Sequence, residues 1–571
     1  MTRHRLIFWS FALLCAATRL LAISKSVWEW DEALLVLGMR DYNVGLHHPH
    51  PPGFPLFIAL GHLFRLFTPS DFRALQAINI VASMLVFPAM YLFARELKFR
   101  FELAVTAAVL FAFFPNVWFF GGGAFSDVPS IVLVLFAVTL LLRGAENRNA
   151  YWLGTLLLAL AIGIRPQNFL VGLLPGIHAT RKRRVHEVLI ALLIGVIVVG
   201  AAFGGAIRAT GSYEQFVSVV KYHGEYIARV DSWRNPDRPA MWRLIDRFFM
   251  RQYQSPVLSI FATLFVFVSI YGSIRDRSRP MFFAATAFVP FALFAWAMLD
   301  RYSISRFSIG YQPLFALLVA DGIARAGKKY APLVAAALLA GFAVFTIPAL
   351  TPVRKEVAPT VQAARAVVDQ VNPRTHQLLA GHTVSKFLDL EVAGFPYTRV
   401  SDDRALPLSS KPAWILAEIT ETGEGGFVFR RERDNLWNIA RHHYFEIKLQ
   451  PVEQRAEFVS GWYEPESHDI WQWRWMAAQS VIHLPPREGR TLLRMSLTPE
   501  NGVSDQHATV TIKLNGQVID TFQPNGEMLR DYRVTAIPDR PNVLELSSDK
   551  TVTKEGRVVS LKLQDLGWGP A

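Results

Sequence analysis

Three acidic residues and three arginines stand at the ends of apolar runs, where charge is expensive and rarely idle. The acids are Asp31 and Glu32, in Trp28-Glu29-Trp30-Asp31-Glu32-Ala33, and Asp127, in Ala124-Phe125-Ser126-Asp127-Val128-Pro129. The arginines are Arg165, Arg301 and Arg306. These residue types suit displacement at a sugar carried on a lipid phosphate. The leaving phosphate is already an anion. It needs positive charge and paired donors rather than a proton, and arginine supplies both. The attacking hydroxyl must lose its proton, which a carboxylate accepts as the new bond forms. One base without a general acid fits a single in-line displacement that inverts the anomeric carbon. Glycosidases, by contrast, use two carboxylates because their leaving group is poor.

Each of these residues has a plainer reading beside the catalytic one. Acids favour helix starts, so Asp31-Glu32 fits a solvated helix N-terminus. Asp127 before Val128-Pro129 fits an N-cap with proline in the first turn. Arg165 fits a side chain snorkelling from a short helix end. His47, His48 and His50 lie in a proline-rich stretch, His47-His48-Pro49-His50-Pro51-Pro52-Gly53-Phe54-Pro55. Either they shape the loop, or one of them joins Asp31 and Asp127 around a divalent metal. No other cofactor is called for. The lone Cys15 excludes a disulfide framework, a multi-cysteine zinc site and an iron–sulfur cluster.

The elements that must hold these residues are membrane helices. Of 571 residues, 52% are apolar and only 18% charged, with mean hydropathy +0.25. A soluble protein carries about 25% charged residues. The net charge of +13 is unevenly placed: residues 1–350 hold 33 Lys+Arg against 18 Asp+Glu, and residues 351–571 hold 26 against 28. The excess sits in short clusters between apolar runs, at Arg95–Lys98–Arg100, Arg181–Lys182–Arg183–Arg184, Arg275–Arg277–Arg279 and Arg325–Lys328–Lys329. That is the positive-inside pattern of a multispanning membrane protein. It is not the basic stripe of a nucleic-acid binder.

A crossing needs about 20 apolar residues. About eleven spans are expected: 6–23, 72–94, 103–120, 128–142, 151–164, 167–179, 187–208, 256–274, 281–299, 307–324 and 331–350. Starting inside at Arg3 and Arg5, alternation puts all four basic clusters in the cytoplasm. The first span reads as an uncleaved anchor rather than a signal peptide. The segment 53–67 reads as a helix lying along the outer surface. Arg165-Pro166 breaks the pair 151–164 and 167–179 and leaves Arg165 at the outer tip. The acids, the histidines and the arginines then all face the exoplasmic side, together with a long loop, 209–255. Helical stretches in that loop, with Lys221, Tyr222 and His223, form either a lid or a passive surface helix.

In this order and spacing the motifs resemble the GT-C superfamily of membrane glycosyltransferases. The branch is that of protein O-mannosyltransferases and aminoarabinose transferases. The resemblance covers roughly residues 1–350. It rests on Asp31-Glu32 after the first span, on His50-Pro51-Pro52-Gly53-Phe54-Pro55, and on Ser126-Asp127. Arg165-Pro166, and Arg306-Phe307 seven residues before Pro313, complete it. It implies a polyprenyl-phosphate sugar donor, an inverting mechanism and an exoplasmic active site. Carried over, Asp31 is the catalytic base, with Glu32 a secondary candidate. Asp127 is a second acid for acceptor or metal. Arg165 and Arg306 lie near the lipid phosphate, and His50 contributes to substrate binding. Arg301-Tyr302 is a competing match for the family's Arg-Tyr pair.

Beyond residue 350 the composition becomes ordinary. Residues 351–454 read as a small exoplasmic α/β domain with a helix over 357–371. Residues 455–571 read as a β-sandwich with strands at 490–498, 508–514, 517–522, 528–537, 542–547 and 557–563, and an Asn515-Gly516 hairpin. The tryptophans between Trp462 and Trp475 either stack on sugar rings or cover the sandwich core. The expected fold is therefore a multispanning α-helical membrane domain (1–350), a small α/β domain and a C-terminal β-sandwich. The expected protein is a multi-pass inner-membrane glycosyltransferase. Its partners are a polyprenyl-phosphate sugar, a glycan, lipid or protein acceptor, and membrane lipids, with no nucleic acid. Two rivals remain: a flippase for lipid-linked sugars, for which no internal repeat is found, and a non-catalytic glycan-binding scaffold.

Overall fold

The computed structural model describes residues 3–230, 232–235, 238, 240–246, 248, 251–298, 304–420, 425–431 and 445–571, without the side chains of 241, 251, 304 and 305. Contacts divide the chain between Val357 and Ala358 into two compact units.

The first unit is helical. Its helices are α1 (Arg3–Arg19), α2 (Trp30–Arg40), α3 (Pro55–Arg65), α4 (Asp71–Met84), α5 (Val86–Glu96), α6 (Phe101–Phe113), α7 (Pro115–Phe120), α8 (Asp127–Gly144) and α9 (Arg148–Ile164). There follow α10 (Phe169–Thr180), α11 (Val185–Thr210), α12 (Tyr213–Val230), α13 (Met241–Ile245), α14 (Pro256–Arg275), α15 (Arg279–Met298), α16 (Ile304–Phe307), α17 (Gln312–Ala326) and α18 (Ala331–Lys355).

Among the described residues, six stretches of helix are long and apolar enough to cross a membrane. They begin at Arg3, Asp127, Val185, Pro256, Arg279 and Ala331. A seventh is gained if α4 and α5, bent by 41°, form one span. The other expected crossings are shorter or broken. The expected span 103–120 divides at Phe114-Pro115 into α6 and α7. The expected span 307–324 becomes α16, a single 3-10 turn at Ser308–Gly310, and α17. Proline accounts for the first break, since it supplies no N–H to continue the helix behind it. The surface segment 53–67 is α3, whose first residue is Pro55.

Lipid offers no hydrophobic drive between helices, so close packing of small residues must hold them. Gly322 of α17 shows the principle. A Cβ there would lie 1.9 Å from the Phe265 carbonyl oxygen of α14. By contrast, a Cβ at Gly195 of α11 meets nothing within 4 Å. The interior helix is α8, which packs against α4, α5, α9 and α10. It carries Asp127 at its first turn.

The second unit opens with α19 (Pro359–Gln370), β1 (Gln377–Gly381), α20 (His382–Glu391), β2 (Thr398–Val400), β3 (Ala413–Glu418), β4 (Phe427–Arg430) and β5 (Glu446–Pro451). They build a five-stranded sheet in the order β2-β1-β3-β5-β4, parallel through β2, β1 and β3. The rest is β6 (Glu457–Trp462), β7 (Glu466–His468), β8 (Trp471–Leu484), β9 (Arg490–Pro499), β10 (Val510–Leu514), β11 (Gln517–Phe522), β12 (Met528–Thr535), β13 (Asn542–Ser548), β14 (Val552–Lys554), β15 (Arg557–Val559) and β16 (Leu561–Pro570). Strand β8 runs through both halves of a nine-stranded sheet. Its start pairs with β7 and β16, and its end with β6 and β13. One core, including Met495, Ile512, Leu546, Leu563 and Trp568, is shared by both halves. The Asn515-Gly516 turn has φ of 52° and 81°, as the hairpin signal requires.

The tryptophan-rich stretch falls on β8, which the sequence reading did not mark as a strand. Trp475 is buried, and the rings of Trp471, Trp473 and Trp475 already face Arg399, Lys562 and Lys554. That arrangement favours packing over sugar stacking.

Gly322→Ala is expected to force α14 and α17 apart and cost about 3 kcal/mol. Gly195→Ala should leave thermal unfolding in detergent unchanged or slightly raised. Equal melting temperatures for the two variants would refute close α14–α17 packing.

Candidate active site

Helix α2 begins at the acidic motif. Glu29 is its N-cap and Glu32 its third residue, closed by a reciprocal capping box. One Glu32 oxygen accepts from the backbone N–H groups of Trp28 at 2.7 Å and Glu29 at 3.1 Å. The other accepts from the N–H of Ala124 at 2.7 Å, 92 residues away. Glu32 thereby clamps the start of α2 to the loop between α7 and α8. Burial pushes its carboxyl up to about 7, against the pull of the three N–H donors. The expected secondary catalytic acid is thus placed as a tie between loops.

Helix α4 supplies the rest of the clamp. Asn79 donates 2.7 Å bonds to the carbonyls of Phe120 and Gly123. Gln76 donates to the carbonyls of Ser24, at 2.9 Å, and Gly122, at 2.8 Å. Both side chains are buried. The sequence reading missed them, since a polar residue inside an apolar run gives no sign of its partner.

The charged residues converge. Arg306, on α16, pairs with Asp31, with Glu29 at 3.5 Å and with Asp127 at 3.6 Å. Arg165 pairs with Asp127 at 2.7 Å and donates to the Ser126 hydroxyl at 3.1 Å. Side-chain exposure is 6% for Arg306, 7% for Arg165 and Asp127, and 14% for Asp31. Asp127 stands just inside α8, with Ser126 at the N-cap, so its carboxylate serves the arginines rather than the helix end. Arg165 sits at the broken end of α9 with an extended backbone (φ −146°, ψ 111°). Asn168 steadies that break through 2.7 Å bonds to Ser130 and the Ala161 carbonyl. Phe307 lies beneath both guanidinium groups, at 5.4 Å from each. The aromatic residue after Arg306 is therefore used as a platform. Glu29 was missed as a site residue although it stands inside the acidic motif. The competing pair Arg301-Tyr302 lies outside the described residues.

His50 lies beside this cluster, its ring 4.8 Å from Phe54 and 6.2 Å from His223 of α12. Burial pushes its imidazole down to about 3, with the charge of Asp31 pulling the other way. His50 is therefore neutral. The next turn demands glycine, for Gly53 has φ +103° and its carbonyl accepts from Tyr42 Oη at 2.9 Å. His47 also approaches His223, at 6.1 Å. The α12 stretch of the long loop thus packs over the histidines, with Phe216 buried against Val44 and Ala206.

Among the described residues, no group of three or more His, Cys, Asp or Glu side chains is arranged to hold a metal ion. Asp31 and Asp127 both close on Arg306, so a guanidinium stands where a cation between them would go. The donor set does not fit a divalent metal in this arrangement.

Next to the cluster, an apolar groove of about 550 Å³ runs between α3 and α11. It is lined by Leu56, Ala59, Ile197, Ala201 and Gly205, among others. Its α3 wall starts at Pro55, directly after Phe54, whose ring lies 5.5 Å from the Arg165 guanidinium.

Residues 49–210 match the family model of dolichyl-phosphate-mannose-protein mannosyltransferase. The match covers 162 of the 571 residues and runs from the His-Pro motif to the end of α11. It contains His50, Asp127 and Arg165, whereas Glu29, Asp31 and Arg306 lie outside it. No curated protein matches the sequence. Among solved structures, ArnT from Cupriavidus metallidurans in the apo state is 13% identical, with a TM-score of 0.48, over 78% of this chain and 97% of that one. The Archaeoglobus fulgidus oligosaccharyltransferase is 11% identical, with a TM-score of 0.46, over 98% and 97%. The arabinofuranosyltransferase AftD from Mycobacteria is 11% identical, with a TM-score of 0.46, over 100% and 59%.

Glu32→Gln would keep one acceptor oxygen for the N–H groups of Trp28 and Glu29 and set an amide NH₂ against the N–H of Ala124. A lost charge-assisted bond is worth about 1.5–3 kcal/mol. The variant should melt several degrees lower in detergent. An unchanged melting temperature would show that the clamp is not a stabilising contact.

Proposed function

We propose that this chain is an integral membrane glycosyltransferase that moves a sugar from a polyprenyl-phosphate carrier to a hydroxyl on an exoplasmic acceptor. One observation carries the reading: Asp31, Asp127, Arg165 and Arg306, far apart in sequence, meet in one nearly buried cluster. The family match supports a lipid-phosphate donor, as its description names a dolichyl-phosphate sugar. The apolar groove beside Arg165 offers room for part of a prenyl chain.

Without donor, Arg306 is held by Asp31, Glu29 and Asp127, and Asp31 is not a free base. An arriving phosphodiester competes for the guanidinium of Arg306 and for Arg165. As Arg306 turns to the phosphate, the Asp31 carboxylate is released next to the sugar. The acceptor oxygen then attacks the anomeric carbon from the face opposite the phosphate. Its proton passes to Asp31 as the new C–O bond forms. The bond from the anomeric carbon to the phosphate oxygen breaks, and the electron pair leaves with the lipid phosphate. The configuration inverts. Arg165 and Arg306 stabilise the charge that grows on the leaving oxygens, a preorganised role worth several kcal/mol in a dry site. Asp127 keeps Arg165 in place, and neutral His50 leaves the phosphate's charge to the two arginines. The coupling also limits waste, because the base is exposed only when the donor is bound.

The test compares cell-envelope glycans by mass spectrometry in cells making wild-type protein or Asp31→Asn at equal levels. The glycan that depends on the wild type should fall on the order of a hundredfold. A well-folded Asp31→Asn protein that supports a normal glycan level would remove Asp31 from the mechanism. Arg165→Gln should lower kcat and kcat/KM on the order of a hundredfold in a reconstituted assay, with the KM for the lipid donor changed less.

A further inference from the structure

At the far end of α14, about 30 Å from Pro256 at 1.5 Å per residue, a second groove opens between α14, α15 and α17. It holds about 520 Å³, within the 300–1,000 Å³ range of small-molecule sites. Its walls are almost wholly apolar, with Ile270, Met281, Phe282, Leu314 and Leu318 among them. Two features set it apart from a gap between helices. The Ser273 hydroxyl on its wall is buried without a hydrogen-bond partner. Its rim carries Arg277 and Arg279, both exposed, and among the described residues neither forms an ion pair with a carboxylate. The nearest acid, Asp276, is taken by Arg325 at 2.6 Å. Ile274 and Phe282 beside the mouth are 73% and 66% exposed, a surface suited to acyl chains.

The geometry points to a binding site for an anionic glycerophospholipid, its phosphate held by Arg277 and Arg279 and one acyl chain lying in the groove between α14, α15 and α17. Charge complementarity selects the occupant. An uncharged apolar ligand leaves the two arginines unanswered, and a free phosphate leaves the groove empty. A zwitterionic lipid brings an ammonium into the arginine pair, whereas phosphatidylglycerol does not. Basic pockets between helices on the positive side of a membrane protein are suited to anionic headgroups. This groove shares no lining residue with the acid–arginine cluster and does not rest on the transferase reading.

The experiment is native mass spectrometry of the full chain from nanodiscs containing equal phosphatidylglycerol and phosphatidylcholine. Wild-type protein should retain phosphatidylglycerol over phosphatidylcholine by about ten- to thirtyfold, as two arginines near an anionic headgroup allow. R277Q/R279Q should abolish the preference, and R277K/R279K should keep most of it. A285F, which fills the groove without touching charge, should lose bound lipid while eluting as the same monodisperse species. Equal retention of the two lipids by the wild type overturns the proposal. So does an undiminished preference in R277Q/R279Q, or full lipid retention in A285F.

Discussion

A buried charge must be answered by other charges and by hydrogen bonds, and the structure of the first unit follows from that constraint. Arg165 and Arg306 are nearly inaccessible, as are Glu29 and Asp127. Unpaired, each would cost several kcal/mol. Their partners come from four separate places in the chain: the start of α2, Ser126 with the first turn of α8, the end of α9, and α16. Satisfying one arginine therefore fixes the relation of several loops at once. The surrounding shell of Gln76, Asn79 and Glu32 serves the same end, since it anchors the backbone of residues 120–124 that leads into Asp127. What looks like an expensive cluster is what specifies the site.

The charged residues were easier to pick out of the sequence than the contacts between them. The acidic motif, Asp127 and the arginines were legible because charge beside apolar runs is rare enough to be noticed. The Arg165-Pro166 break was legible because proline leaves the residue before it no helical choice. Glu29 was not separable from its neighbours, because three acids within four positions give no sign of which one faces the arginine. The role of Glu32 depended on the N–H of Ala124, a contact across 92 residues that no local pattern contains. In the second unit, strict alternation made β10 readable, and the Asn515-Gly516 turn pointed to β11 after it. The strand β8 was hidden by its tryptophans, whose alternation with Gln472 and Arg474 is itself a period of two. The second half of β16 was hidden by Gly567 and Gly569, which pair with β9 despite weak strand propensity.

Helix length marks where the site lies. Long unbroken helices such as α11 and α14 obey the thickness of a bilayer. The short or broken ones, α6 with α7, α9 with α10 and α16 with α17, lead toward the charged cluster. Irregular backbone at membrane depth is tolerable only where protein or a water-filled cavity satisfies its polar groups. Asn116, at the start of α7, illustrates the cost being met. Its amide donates to the Gln252 carbonyl at 3.2 Å and to Ser308 at 2.9 Å, stitching the breaks together. Asn168 does the same at the α9 break. The shortfall between the eleven expected crossings and the helices long enough to make them is thus concentrated where the chain bends to deliver side chains.

Arginine is used in opposite ways at the two ends of this unit. Near the cluster it is internal, stacked on Phe125 and Phe307, and answered by carboxylates of the same chain. Its fork is rigid and pre-aimed, and a substrate phosphate must displace an existing partner to use it. Near the basic loop between α14 and α15 it is external, on the rim of an apolar groove, and the nearby acid is already engaged by Arg325. There a phosphate meets no internal competitor. The first arrangement trades affinity for control over when a base is exposed. The second favours standing occupancy by an abundant lipid. On the proposed readings the same side chain serves turnover at one end and attachment at the other, and the difference lies in whether the fold supplies the counter-charge itself.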